Sequence, residues 1–186
     1  PLGLLNWEEG GRSREIIRST LETMEKRGPQ WWTGYSYAWF ANMKARTFDG
    51  EGAYQALRTF AECFCLPNTF HVNGDQSGTG KSNYTYRPFT LEGNFAFAAG
   101  VQEMLLQSHT DTLRIFPAIP GDWKDVSFEN LRAQGAFLVS AERKDGKVVS
   151  VNIESEKGKD LLLISPFDGE LIQRKTKVGE RIMLTE

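Results

Sequence analysis

The residues best suited to chemistry begin with Glu92, in the run Thr90-Leu91-Glu92-Gly93-Asn94-Phe95. An acid at the start of a helix sits among free backbone N–H groups and at the positive end of the helix dipole, a setting that favours a carboxylate. Gly93 beside it lets a backbone or a ligand approach closely. The stretch that follows, with Phe95, Phe97, Ala98, Ala99, Val101, Met104, Leu105 and Leu106, is apolar on nearly every side and reads as an interior helix running on towards His109. A carboxylate at the mouth of such a helix can orient or deprotonate a water. The plainer alternative is a helix cap.

Around that mouth the sequence gathers Trp31, Trp32, Tyr35, His71, Asn73, Tyr86 and Arg87. Flat aromatic faces beside carboxylates and amides suit sugar rings, whose C–H faces stack while their hydroxyls need hydrogen bonds. Trp32, Tyr35, His71, Arg87 and Asn94 are the candidate substrate contacts. Gly74 to Ser82 invites comparison with a phosphate loop, but five residues separate Gly74 from Gly80-Lys81-Ser82 where that motif has four, and no strand precedes it. A flap built from turn residues is the reading kept.

Four helices must position these groups. Ser13 to Arg27 is amphipathic, with Ile17, Leu21 and Met24 on one face, Ser13 as its expected N-cap and Gly28-Pro29 as its stop. Thr33 to Arg46 shows almost no charge before Lys44 and reads as interior. Glu51 to Phe64 returns to a stripe of Tyr54, Leu57, Phe60, Ala61 and Phe64 at spacings of three and four. The fourth, from Gly93, is interior again. Outer, inner, outer, inner is the pattern of a two-layered helical toroid, and two hairpins cannot close one. The chain therefore reads as the end of a longer helical barrel, with some exposure of its inner helices expected where the rest of the ring is absent. A small helical bundle is the alternative.

After His109 the pattern changes to short strands. Leu113 to Phe116, Val126 to Leu131, Gly135 to Arg143, Lys147 to Glu154, Leu161 to Ser165 and Arg181 to Thr185 form the set, with a weaker strand near Glu170 to Lys175. Asp145-Gly146 is a hairpin signal. A small antiparallel β-sandwich is expected. The fold class is thus α+β multidomain, with residues 1–110 as the barrel portion and 111–186 as the sandwich.

Composition narrows the function classes. The hydrophobic share of 40% and charged share of 25% are those of an ordinary globular protein, and a formal net charge of -2 leaves no basic field for nucleic acid. No apolar run is long enough to span a membrane. The N-terminal residues lack the features of a signal peptide. Cys63 and Cys65 point in different directions on a helix and leave the compartment open. No cluster has metal-ligand spacing, and no cofactor is implied.

The run from Gly34 to Phe137 resembles the C-terminal part of glycoside hydrolase family 95, the inverting α-L-fucosidases and their relatives. Gly34-Tyr35-Ser36-Tyr37-Ala38-Trp39 is similar to the family's Gly-Trp-Ser-x-x-Trp helix entrance, and Glu92-Gly93-Asn94-Phe95 stands where the family has Asp-Gly-Asn-Phe. Glu103 to His109 matches its helix end. Pro117-Ala118-Ile119-Pro120 with Trp123, and Leu131-Arg132-Ala133 with Gly135 and Phe137, match the linker and first long strands. The resemblance implies an (α/α)6 barrel followed by a β-domain, a glycan or oligosaccharide substrate, the remainder of the parent barrel as partner, and secretion or export to the periplasm.

It also implies roles. The family's aspartate assists activation of the attacking water, and Glu92, one methylene longer, takes that place as the catalytic candidate. The family's general acid and water-positioning asparagines lie in barrel helices that this sequence does not contain. An inverting mechanism needs about 6.5–9.5 Å between acid and base to hold a water. A longer arm shifts that water or goes with another sugar. Two other readings stay open: a non-catalytic carbohydrate-binding or scaffold piece, and a lyase or phosphorylase on a similar barrel.

Overall fold

The computed structural model describes residues 4–185, which form two compact units, one up to Glu103 and one from Met104. The arrangement is α+β, with four helices and two four-stranded sheets.

In the helical unit, a 3-10 turn over Trp7–Glu9 leads into α1 (Gly11–Arg27). The helix starts at Gly10, whose φ of 69° suits glycine, and not at Ser13. Ser13 lies inside the first turn and donates to Glu9 Oε2 at 2.5 Å. Of the expected stripe only Leu21 is buried. α2 (Gly34–Arg46) begins at Thr33 with a capping box, the Thr33 and Ser36 side chains each reaching the other's backbone N–H. α3 (Gly50–Cys63) is capped by Asp49, which accepts from Gly52 N at 2.8 Å. Lys44 near the end of α2 lies 2.5 Å from Glu25 of α1 and 3.1 Å from Asp49, tying three helix ends together.

Alanines let α2 and α3 pack closely: Ala38, Ala41, Ala45 and Ala53 are fully buried, with Phe60 and Phe64 filling the space beyond them. α4 (Leu91–Leu105) is held to α2 by polar ties. Asn42 Nδ2 donates to Ala38 O at 2.8 Å and to Ala96 O at 2.9 Å, and Arg46 pairs with Glu103 at 2.8 Å. Phe97 stacks on Phe60, ring centroids 5.2 Å apart.

One flank of α2 and α4 is open. Tyr35 and Trp39 on α2, and Leu91 and Phe95 on α4, are exposed, Phe95 to 64%. Some exposure of these helices is expected where the rest of a ring is absent, but α4, read from the sequence as interior, has only Gly93, Gly100 and Met104 buried. By contrast, α3 buries Leu57, Phe60 and Phe64 of its stripe and leaves Tyr54 half-buried and Ala61 exposed. α4 stops at Leu105, short of the expected end, because Leu106 and Gln107 leave the helix to pair as a strand.

The second unit contains β1 (Leu106–Gln107), β2 (Leu113–Ile115), β3 (Val126–Ala133), β4 (Phe137–Lys144), β5 (Lys147–Ser155), β6 (Leu161–Ile164), β7 (Leu171–Arg174) and β8 (Glu180–Thr185). One sheet runs β1-β2-β6-β7 and the other β3-β4-β5-β8. All pairings are antiparallel except β2 with β6, which join side by side after the chain has made the β3–β5 meander. Asp145 and Gly146 both take positive φ, as a two-residue hairpin with the right-handed strand twist requires. A single cluster of buried side chains draws Leu113, Ile115, Leu161 and Leu163 from the first sheet and Phe128, Val139, Val151 and Ile182 from the second. The weaker strand expected near Glu170 is β7.

Candidate active site

The long connection between α3 and α4 is folded back on itself. Asn73 N donates to Pro88 O at 3.1 Å, Gly74 N to Tyr86 O at 2.7 Å and Asp75 N to Tyr84 O at 2.7 Å, so two backbone runs zip together. At its tip the Asp75 carboxylate accepts from Ser77 N at 2.8 Å, the Ser77 hydroxyl at 2.5 Å and Lys81 N at 2.7 Å. Burial alone would raise the pKa of Asp75, but these bonds outweigh it and hold the group below the usual carboxylate value. The backbone N–H groups of a phosphate loop would point at a bound anion; here this chain's own carboxylate occupies that place. Tyr37 reaches the same loop, donating to Lys81 O at 3.1 Å, and burial chiefly, with the charges of Cys63 and Asp75, pushes its pKa up to about 12.

Glu92 is the second residue of α4, exposed, with no hydrogen bond or ion pair to another of the described residues. It therefore caps nothing. Beside it the interior is dense. His71 is fully buried; its Nδ1 lies 2.8 Å from Thr90 O and 2.8 Å from Thr90 Oγ1, and its ring stacks on Phe60 with centroids 5.0 Å apart. Burial lowers the pKa of His71, against the upward pull of the Thr90 bond and the Glu92 charge. Asn94 is committed at both ends of its amide, accepting from His71 N at 3.0 Å and donating to Thr69 O at 2.9 Å.

The six residues singled out in the sequence thus fall into three groups. Glu92, Tyr35 and Arg87 are exposed, and Arg87, in the flap, has no partner among the described residues. Trp32 is half-buried, edge-on to Tyr37 and Phe40 at 5.2 and 5.1 Å. His71 and Asn94 lie beneath, engaged with the chain itself, and the fully covered His71 ring presents no atom to a ligand at the surface. Further aromatic surface comes from Trp31, edge-on to Tyr84 at 5.5 Å, and from Phe70 stacked on Phe89 at 5.8 Å. Among the described residues no group of three or more His, Cys, Asp or Glu could hold a metal ion, and no helix is long and apolar enough to cross a membrane.

The model of the glycosyl hydrolase family 95 catalytic domain matches residues 7–105, and that of the glycoside hydrolase family 95 C-terminal domain matches residues 107–183. The chain belongs to glycoside hydrolase family 95. It is similar to alpha-L-fucosidase 2 of Arabidopsis thaliana, 34% identical over 147 residues, which cover 78% of this chain and 17% of that protein. The chain thus spans under a fifth of the length of that relative.

Proposed function

We propose that this chain supplies the base-side wall of a glycoside hydrolase site, in which Glu92 orients or deprotonates the water that attacks a terminal sugar with inversion at the anomeric carbon. The observation that carries this reading is the uncommitted state of Glu92, an exposed carboxylate on the first turn of a helix, among aromatic residues that the fold leaves uncovered. A cap would be bonded to its own helix; a working base must keep its oxygens for water. Tyr35, Arg87 and the open edge of Trp32 contact the sugar, and Asn94 holds the wall behind them. The exposed flank of α2 and α4 completes a two-layered toroid with the remaining barrel helices, and the two sheets form a buttressing sandwich. Secretion or periplasmic export goes with this reading, as does a fucose-like substrate, by likeness to the relative above. The general acid comes from barrel helices other than these four.

Replacing Glu92 with Gln in the full-length protein tests the assignment, with aryl fucosides and galactosides as substrates. The shape is kept and the acceptor charge lost, so kcat falls about 100-fold or more while KM stays near its starting value. A kcat unchanged from the parent overturns the assignment. This chain by itself is expected to turn over neither substrate, since general acid catalysis typically contributes about 10²–10⁴-fold and its donor lies elsewhere.

A further inference from the structure

We infer that His71 is the positioning residue of this site, a neutral wedge between the first turns of α2 and α4 that fixes where Glu92 stands. The inference rests on Glu92 being the working carboxylate.

The ring touches both helix entrances. A Cβ at Gly34, the first residue of α2, would stand 2.3 Å from His71 Nε2, and a Cβ at Gly93 would stand 2.3 Å from Nδ1. No side chain other than hydrogen fits at either point, so the imidazole sets the separation of the two turns. Its polar atoms hold the residues flanking Glu92. Nδ1 meets Thr90 O and Oγ1, the backbone N–H of His71 donates to Asn94 Oδ1, and Thr90 N donates to His71 O at 3.3 Å. Thr90, Gly93 and Asn94 are all fixed by His71, and Glu92 lies among them.

The network assigns the tautomer. The Thr90 hydroxyl spends its hydrogen on Asn73 Oδ1 at 3.2 Å, which leaves Thr90 Oγ1 and Thr90 O both as acceptors toward Nδ1. Nδ1 therefore carries the proton. Nε2, buried against Gly34, has no hydrogen-bond partner. A second proton there would find no acceptor, which agrees with the lowered pKa of this histidine. A leucine or phenylalanine would fill the same space without an unpaired nitrogen; what histidine adds is the Nδ1–H bond to the residue two before Glu92. Site geometry is sensitive at this scale, since a displacement of about 1 Å can cost about 10²-fold in rate.

Three variants separate the wedge from the bond. His71→Phe keeps a ring and loses the donor, His71→Gln moves the amide to the Nε2 side, and His71→Asn keeps a donor near Nδ1. In the full-length protein, with an aryl fucoside or galactoside, kcat falls at least about 10-fold in His71→Phe and His71→Gln with KM nearly constant, and His71→Asn recovers part of it. In this chain, long-range proton–nitrogen NMR on the unsubstituted protein shows the neutral Nδ1–H form at pH 7, and His71→Asn or His71→Phe shifts the amide signals of Glu92 and Gly93. A full kcat in His71→Phe, an Nε2–H tautomer, or unmoved Glu92 and Gly93 signals each overturn the inference. A normal kcat in Glu92→Gln, by contrast, removes the assignment of Glu92 while the NMR arm still decides whether His71 fixes this turn.

Discussion

Gly93 and His71 are in such close contact that all three of the nearest atoms to a Cβ built on Gly93 belong to the imidazole, the closest at 2.3 Å. The corresponding Cβ on Gly34 meets His71 at 2.3 Å but also Phe64 Cβ at 2.6 Å.

This difference predicts opposite outcomes in a double-mutant cycle. Gly93→Ala alone lowers stability, because overpacking at about 1–3 kcal/mol exceeds the helix-propensity gain of about 1 kcal/mol. In a His71→Ala background the obstacle is gone and Gly93→Ala becomes neutral or stabilising. Gly34→Ala stays destabilising in both backgrounds, since Phe64 remains. Thermal melts of the six proteins check this; equal costs for Gly93→Ala with and without His71 would contradict the packing described.

A second expectation concerns pH. Folded His71 binds a proton less readily than an ordinary histidine of pKa 6.5, because burial outweighs the Thr90 bond and the Glu92 charge. Above about pH 6.5 both folded and unfolded chains hold the ring neutral, and its contribution to stability is flat. Below that value the unfolded chain takes up the proton first, so stability falls as pH falls towards the lowered folded pKa. Denaturant midpoints from pH 8 to pH 5 should decline below pH 6.5 in the parent and decline less in His71→Phe. Identical profiles would show that His71 titrates normally.

The flap tip depends on one carboxylate. Asp75→Asn leaves at most one oxygen where two accept, and turns an N–H toward the Lys81 N–H it should receive. The expected cost is about 1–3 kcal/mol, expressed locally. Limited proteolysis should cut between Ser77 and Lys81 faster in the variant, with the melting of the β unit unchanged. An unaltered cleavage pattern would mean that the tip is held by other contacts.

Asn42 is the polar tie between two helices, giving its amide hydrogens to Ala38 O and Ala96 O. Asn42→Leu keeps the branched shape and removes both bonds, for an expected loss of about 1–3 kcal/mol. Hydrogen exchange near Ala96 should accelerate. A stability equal to the parent's would assign the α2–α4 pairing to apolar contact alone.

Much of this was legible in the residues. Period-two runs and Asp145-Gly146 located the strands of the second unit, and the stripe of α3 located its buried face, because burial on one side writes a regular pattern. β1 was hidden because Leu106 and Gln107 continue the apolar composition of α4, and only their partners Ile115 and Arg114 make them a strand. Ser13 was a sound cap residue out-competed by the left-handed Gly10 upstream. In the site, Glu92 was marked by its place before an apolar helix. His71 was chosen for the mouth because a polar aromatic side chain near other aromatics reads alike whether it faces a ligand or the core. The available signal was a pair of glycines, Gly34 and Gly93, each at a helix start where space was reserved; what fills that space is a side chain from the flap.

The zipped flap also has a consequence for how this sequence can vary in length. Backbone bonds from Asn73 to Pro88 and from Asp75 to Tyr84 anchor its base, while Gly78 and Gly80 at the tip meet nothing within 4 Å of an added Cβ. Residues added or lost at the tip change only a closed loop whose entropy grows as the logarithm of its length, about 0.6 kcal/mol for each doubling. The stem keeps its register through such changes, and with it the spacing between Glu92 and the surrounding aromatic rings. Insertions can therefore explore new surface beside the proposed site without moving the residues that would form it.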